Sequence, residues 1–262
     1  MSNLVIRLNV VSPDASLPVI PASDLVFPTV DYETDAWDFF ALDGTDASLI
    51  GKNRGSVLTK QGTITPDTGF FSIPIGSATK NALVSSFPDS HEQTQIAIMK
   101  LPSSMMTAGM VPLLMGRLSG TSAAGAGSAA YIRQNGSVWS ISRVFFPRAA
   151  GGLINEQDIT SLLGKWVMVG LAETSDSSTR VSRLFVSNGG TPYSVELSEA
   201  LGKVLATGGV GIGNLAYGTS GADLNYGFAE YGIWDRKLTS AELLDVYNRA
   251  KVRMAVRGFD LI

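Results

Sequence analysis

From Trp37 onward the chain is a succession of short apolar runs separated by turn residues, and this punctuation limits the fold more than any single motif does. The runs are Phe39 to Leu42, Ser56 to Leu58, Gly69 to Ile75, Thr94 to Leu101, Val111 to Leu114, Tyr131 to Ile132, Val138 to Phe146, Trp166 to Ala172, Val181 to Val186, Val210 to Gly213 and Gly227 to Trp234. Gly, Asn, Asp and Pro lie between them, as between the strands of an antiparallel sandwich or jelly roll. Asn135-Gly136 and Asn188-Gly189 supply the positive φ that tight hairpins need. The first of these turns is expected to bring Tyr131 and Trp139 near one another. The small-residue run Ser119 to Ala130 lacks the bulk to anchor a core and reads as a flexible loop. A helical turn is expected within Asn155 to Leu163, capped by Asn155 or Asp158.

One helix is written at the C-terminal end. Leu238-Thr239-Ser240-Ala241-Glu242-Leu243 carries both halves of a capping box, with Thr239 on the amide of Glu242 and the Glu242 carboxylate reaching back. Leu243, Val246, Tyr247 and Ala250 follow at helical spacing, predicting a helix from Ser240 to about Val252 that lays these four on a sheet.

The strand, turn and helix from Glu230 to Tyr247 resemble the closing segment of the laminin-G-like modules of the concanavalin A-like superfamily. Phe40-Ala41-Leu42-Asp43-Gly44-Thr45-Asp46 is similar to the family's opening motif, Gly164-Lys165-Trp166-Val167-Met168-Val169 to its central one, and Leu184 to Gly190 to its hairpin. The sequence departs from the pattern at Leu42, where an aromatic is usual, and at Ser187-Asn188, which shifts the Asn-Gly pair by one residue. The resemblance spans roughly residues 37 to 250. It implies an all-β, two-sheet antiparallel jelly-roll sandwich with a short C-terminal helix, residues 37–262, preceded by an extended strand and Pro-rich arm, residues 1–36. That fold hosts lectins, glycosidases, adhesion modules and virion proteins, so function has to be argued from the site.

Composition narrows the classes. A formal net charge of -3 leaves no basic footprint for nucleic acid. No stretch approaches the ~18 consecutive apolar residues of a membrane span, and no membrane insertion is expected. With no cysteine and no secretory leader at Met1 to Arg7, the chain is expected to be made and folded in a cytoplasm. Charged residues are only 16% of the chain, which leaves large neutral surfaces of the kind found between packed subunits. In the arm, Leu17, Val19, Ile20, Leu25, Val26 and Phe27 are interrupted by Pro13, Pro18, Pro21 and Pro28. Such a segment is extended and apolar, and either wraps its own sandwich or docks on a neighbouring subunit.

The chemistry of catalysis is thin. His91 is the single histidine, no Gly-x-Ser-x-Gly elbow accompanies it, and Cys/His zinc sites are ruled out. Glycosidases on this fold carry two or three carboxylates alternating along one strand, with nucleophile and acid about 5 to 5.5 Å apart, but Glu230 stands alone on its strand and is expected to be a structural partner beneath the final helix. Glu173 and Asp176 are candidates for a sugar or an ion. Calcium is the one cofactor considered, with Asp43 and Asp46, or Asp223 and Asn225, as oxygen donors; ordinary turn roles compete with it. For a sugar, an aromatic face with planar polar groups at its rim is wanted. Trp139 and Arg143 after the first hairpin, and Tyr217, Asp223, Asn225 and Tyr226 on a glycine-rich connection, are the candidate ligand-binding residues, whereas Trp166 and Trp234 are expected in the core.

The expectation that results is a non-enzymatic, lectin-like structural protein of a bacteriophage particle (tail, fibre or head decoration), acting outside the cell. Its partners would be copies of itself or other virion proteins, met through the arm, and surface glycans. The rivals are an assembly protein with no ligand and a polysaccharide hydrolase or lyase.

Overall fold

A computed structural model describes residues 32–76, 80–104, 113–120, 124–135, 138–147, 156–215 and 224–262. The arm up to residue 31, with its expected extended strand, lies outside them. Among the described residues, fifteen strands and one α-helix form the body. In chain order they are β1 (Asp38–Ala41), β2 (Thr59–Gln61), β3 (Thr65–Asp67), β4 (Phe70–Ile75), β5 (Ala82–Pro88), β6 (Glu92–Lys100), β7 (Leu113–Ser119), β8 (Ala126–Asn135), β9 (Val138–Phe146), β10 (Gln157–Asp158), β11 (Trp166–Ser175), β12 (Arg180–Val186), β13 (Tyr193–Glu199), β14 (Gly209–Gly213), β15 (Leu224–Trp234) and α1 (Ser240–Val256).

The strands make two antiparallel sheets, as expected. One is 8-stranded in the order β13-β12-β11-β6-β15-β4-β3, with β1 also on β15; the other is 7-stranded, β10-β9-β8-β7-β14-β5-β2. Period-2 alternation assigns the faces. Ala97 and Met99 of β6 and Val167, Val169 and Leu171 of β11 join Ala130, Ile132, Ile141, Phe145 and Ile212 of the other sheet in a single buried core. Ile96, Ile98, Trp166 and Met168 point the other way, onto Leu243, Val246, Tyr247 and Ala250 of α1. A bulge between Phe228 and Glu230 resets the alternation of β15. Tyr226, Phe228, Tyr231 and Ile233 therefore all reach the central core, while Ala229 and Glu230 turn toward the helix.

The cap of α1 is as the sequence predicts. Glu242 N donates to Thr239 Oγ1 at 3.3 Å and Thr239 N donates to Glu242 Oε2 at 2.7 Å. The helix runs to Val256, about a turn beyond the expected end. Its approach to the sheet is set at Gly170, where an added Cβ would stand 3.3 Å from Leu243.

Three local expectations are corrected. The small-residue run is not all loop: Ala126 to Ala130 form the first half of β8, paired with β7 and β9, and Gly127, at φ +98°, is required there because a Cβ would strike the Arg117 carbonyl of β7. Tyr131 and Trp139 do not meet. The hairpin register pairs Tyr131 with Ser142 and Trp139 with Gln134, so the two rings lie on opposite faces of the sheet. Within Asn155 to Leu163 the helical turn shrinks to a 3-10 turn, Thr160–Leu162, following the short strand β10. Asp158 nevertheless accepts from the Thr160 amide at 2.8 Å; Asn155 lies outside the described residues.

Candidate functional site

The sequence candidates do not converge on one surface. Trp139 and Tyr226 are core residues, exposed by 6% and 0%, and neither offers a ring to a ligand. Arg143 points between the sheets, where Nη2 meets Glu156 Oε1 at 2.7 Å and Nη1 donates to the carbonyls of Ser182 and Val195. Burial pushes the Glu156 carboxyl up and the Arg143 guanidinium down, each opposed by the other's charge. The group ties β9 to β12 and β13 and is spoken for. Asn225 is exposed at the start of β15, while Tyr217 and Asp223 lie outside the described residues. Trp166 and Trp234 are buried, as expected.

The carboxylates have structural partners. Glu230 accepts from Arg253 at 2.8 to 3.2 Å beneath α1, in the supporting role expected of it. Desolvation raises its pKa against the pull of Arg253. Glu173 belongs to β11 and is buried, so it is not open to the sugar or ion expected there. Its Oε1 accepts from Lys203 Nζ at 2.6 Å, Gln93 Nε2 at 2.5 Å and Ser128 Oγ at 2.7 Å, in a dry cluster completed by Asp89. Asp176 closes its own turn on Ser178 and Thr179, and those bonds hold its carboxyl far below the usual range. Asp43 accepts from Thr45 N and Oγ1, Asp46 pairs with Lys60, and no group of three metal-ligating side chains occurs among the described residues. Gly44, at φ +89°, is fixed here because a Cβ would strike the Asp67 carbonyl. His91 is exposed, its Nδ1 lying 3.0 Å from Ser175 Oγ.

A concave site occurs elsewhere, where the segment entering β1 crosses the first turns of α1. A cleft of about 320 Å³ is lined by Tyr32, Glu33, Thr34, Asp35, Leu238, Glu242, Asp245, Val246 and Arg249. Its volume stands at the lower end of the roughly 300–1,000 Å³ of small-molecule sites. Two anchors shape it. Glu33 is buried and accepts from Arg249 and from Arg253 Nη1 at 2.8 Å, which pins the entering segment to the helix. Arg236 spans Asp35 at 2.9 Å and Glu242 at 2.6 Å on the opposite rim. Arg249 and Asp35 remain 38% and 53% exposed at the side chain, so planar polar groups face solvent beside the half-buried ring of Tyr32. The sequence could not point to this cleft, since its walls are about 200 residues apart and Tyr32 to Asp35 read as part of the arm. Arg249 was the available signal, a basic residue beside the inward face of an otherwise apolar helix stripe.

No family model matches the chain, and no curated protein matches it in sequence. Solved structures do. A sialidase from Trypanosoma rangeli in complex with sialic acid aligns at TM-score 0.55 and 14% identity, over 92% of this chain and 36% of the sialidase. The binding domain of botulinum neurotoxin serotype G aligns at TM-score 0.50 and 13% identity, over 82% of this chain and 51% of that domain. The chain thus spans about a third of the one and half of the other, and these likenesses describe its fold.

Proposed function

We propose that the protein is a non-enzymatic carbohydrate-binding sandwich, a structural component of a phage particle that meets surface glycans. The cleft at the start of α1 carries the reading. Tyr32 offers a face for the apolar side of a pyranose, and Asp35 and Arg249 offer paired acceptors and donors for vicinal hydroxyls. The sandwich fold that this chain has in common with a sialidase solved with sialic acid and with a toxin binding domain supports it at the level of architecture. The non-enzymatic part rests on Glu230 and its neighbour Glu33, both buried beneath α1 and both paired with Arg253, so that neither is free for the acid and nucleophile roles that glycoside hydrolysis requires. The phage setting rests on a cysteine-free chain with few charges.

Glycan-array binding of the full chain against neutral, sialylated and bacterial surface glycans tests this. Binding is expected, and Tyr32→Ala and Asp35→Ala should remove it with the fold intact. Binding that only Tyr217→Ala removes would move the site to the 216–223 connection, and absence of binding by the wild type would leave the purely structural reading. Reducing ends released from any of these glycans would overturn the non-enzymatic assignment.

A further inference from the structure

The cluster around Lys203 holds an amine against a carboxyl, with a second carboxyl in contact, away from solvent. Lys203 Nζ lies 2.5 Å from Asp89 Oδ1 and 2.6 Å from Glu173 Oε1, and the three side chains are 0 to 1% exposed. Asp89 is gripped at both oxygens: Oδ1 accepts from Gln93 Nε2 at 3.1 Å and Oδ2 from the Ala206 amide at 2.8 Å. Glu173 Oε1 takes three donors, whereas its Oε2 is buried with no hydrogen-bond partner among the described residues. An ion pair alone does not call for that free oxygen, and it leaves two anions on one cation in a closed interior. The backbone beside Lys203 is fixed as well. Val204 N donates to the Phe146 carbonyl, the Val204 carbonyl accepts from Gly127 N, and a Cβ at Gly202 would strike the Asp176 and Ser177 carbonyls.

We propose that Lys203 and Asp89 become joined by an amide bond, formed within the folded chain with Glu173 as the proton carrier. Glu173 Oε1 takes a proton from Nζ and passes it to Asp89 Oδ1, which frees the nitrogen lone pair and turns Oδ1 into a hydroxyl. The lone pair adds to Asp89 Cγ while the C=Oδ2 pair moves onto Oδ2, where the Ala206 N–H meets the developing charge. Collapse restores C=Oδ2 and expels Oδ1, which leaves as water with a second proton delivered from the nitrogen through Glu173. The third hydrogen stays on the amide and Glu173 ends as it began, so the sum is an ammonium and a carboxylate giving an amide and one water. The fold supplies contact without an encounter, and the product carries no charge where the reacting pair carried two. The ion pair is the state before the bond. Once formed, the bond ties the β5–β6 connection to the β13–β14 connection, residues 114 apart in sequence, each of which crosses from one sheet to the other. It closes a long loop as a disulfide would, in a chain that has no cysteine.

Intact mass spectrometry of the full chain after folding tests the bond. The wild type should weigh one water less than its sequence, and after proteolysis the peptides carrying Asp89 and Lys203 should appear as one branched species. Glu173→Gln, which keeps the shape of the side chain and removes the proton carrier, should stay at its full mass with the circular dichroism of the wild type. A folded wild type at its full sequence mass would overturn the proposal, whether or not the variant folds. So would a lost water with the two peptides still separate, which is the mark of a cyclic imide at an aspartate. A branched peptide that Glu173→Gln still forms would overturn the role given to Glu173.

Discussion

Two ionic clusters hold the sandwich, and they are built on opposite ratios. In the first, between the sheets, one cation serves two anions. Lys203 Nζ is 2.5 Å from Asp89 and 2.6 Å from Glu173, with all three side chains 0 to 1% exposed. In the second, beneath α1, Arg249, Arg253 and Arg257 serve Glu33 and Glu230, and each carboxylate touches two of them. Redundancy follows from the count. Taking away one arginine leaves each carboxylate a partner, whereas taking away the lysine strands two carboxylates in a dry interior. The first cluster fastens the Gly202 to Ala206 connection across strands of both sheets, since Asp89 Oδ2 also accepts the Ala206 amide at 2.8 Å. It works as a single fastening, and the second as a distributed one.

The contrast can be broken by substitution. Lys203→Met should be the most damaging, at about 3–5 kcal/mol in urea unfolding, because it leaves unpaired buried charge. Neutralising the group together, as Lys203→Met/Asp89→Asn/Glu173→Gln, should cost less than the lysine change alone, and a larger loss would mean that the charges themselves stabilise the fold. Arg253→Met, with Arg249 and Arg257 still in place, should cost about 1–3 kcal/mol; a loss equal to that of Lys203→Met would remove the argument from redundancy. Thr239→Ala should cost about 0.5–2 kcal/mol through the cap. Arg249→Ala, at a half-open ion pair, should cost about 1 kcal/mol or less yet weaken glycan binding. The cap also has a pH signature. The Thr239 amide, ahead of the Thr239 hydroxyl and Arg236, holds the Glu242 carboxyl below its usual 4.5. A depressed carboxylate stabilises fully above its unfolded pKa and loses that contribution as pH falls through the folded one. The stability difference between wild type and Glu242→Gln should therefore be constant near neutrality and shrink below about pH 4.5.

What the sequence discloses depends on how local the cause is. The capping box lies within four residues and the core alternation within a strand, so α1, β9, β11, β12 and β15 were legible, as was the burial of Trp166 and Trp234. β13 was not, because Tyr193 to Glu199 is a sheet edge with no well-buried face to produce alternation. Asp38 looks like any strand-end acid, yet it accepts the amides of Asn53, Arg54 and Ser56 and shapes a whole loop from 15 or more residues away. The Lys203 cluster and the cleft are further from view, since their members come together only after both sheets have formed. Trp139 and Arg143 misled for a related reason. A hairpin turn tells where a chain reverses, while the facing of its strands is decided by what packs across from them.

The position of β15 has a consequence in time. Among the described residues it is the last strand, and it is also an interior one, hydrogen-bonded to β6 along one edge and to β4 and β1 along the other. A ribosome therefore delivers the centre of the larger sheet after its flanks, and until residue 234 has emerged β6 and β4 present open edges with nothing to join them. The larger sheet therefore cannot close until β15 has been made. Chains that stop short of β15 would be born as adhesive fragments, with the open edges of β6 and β4 free to pair with other chains.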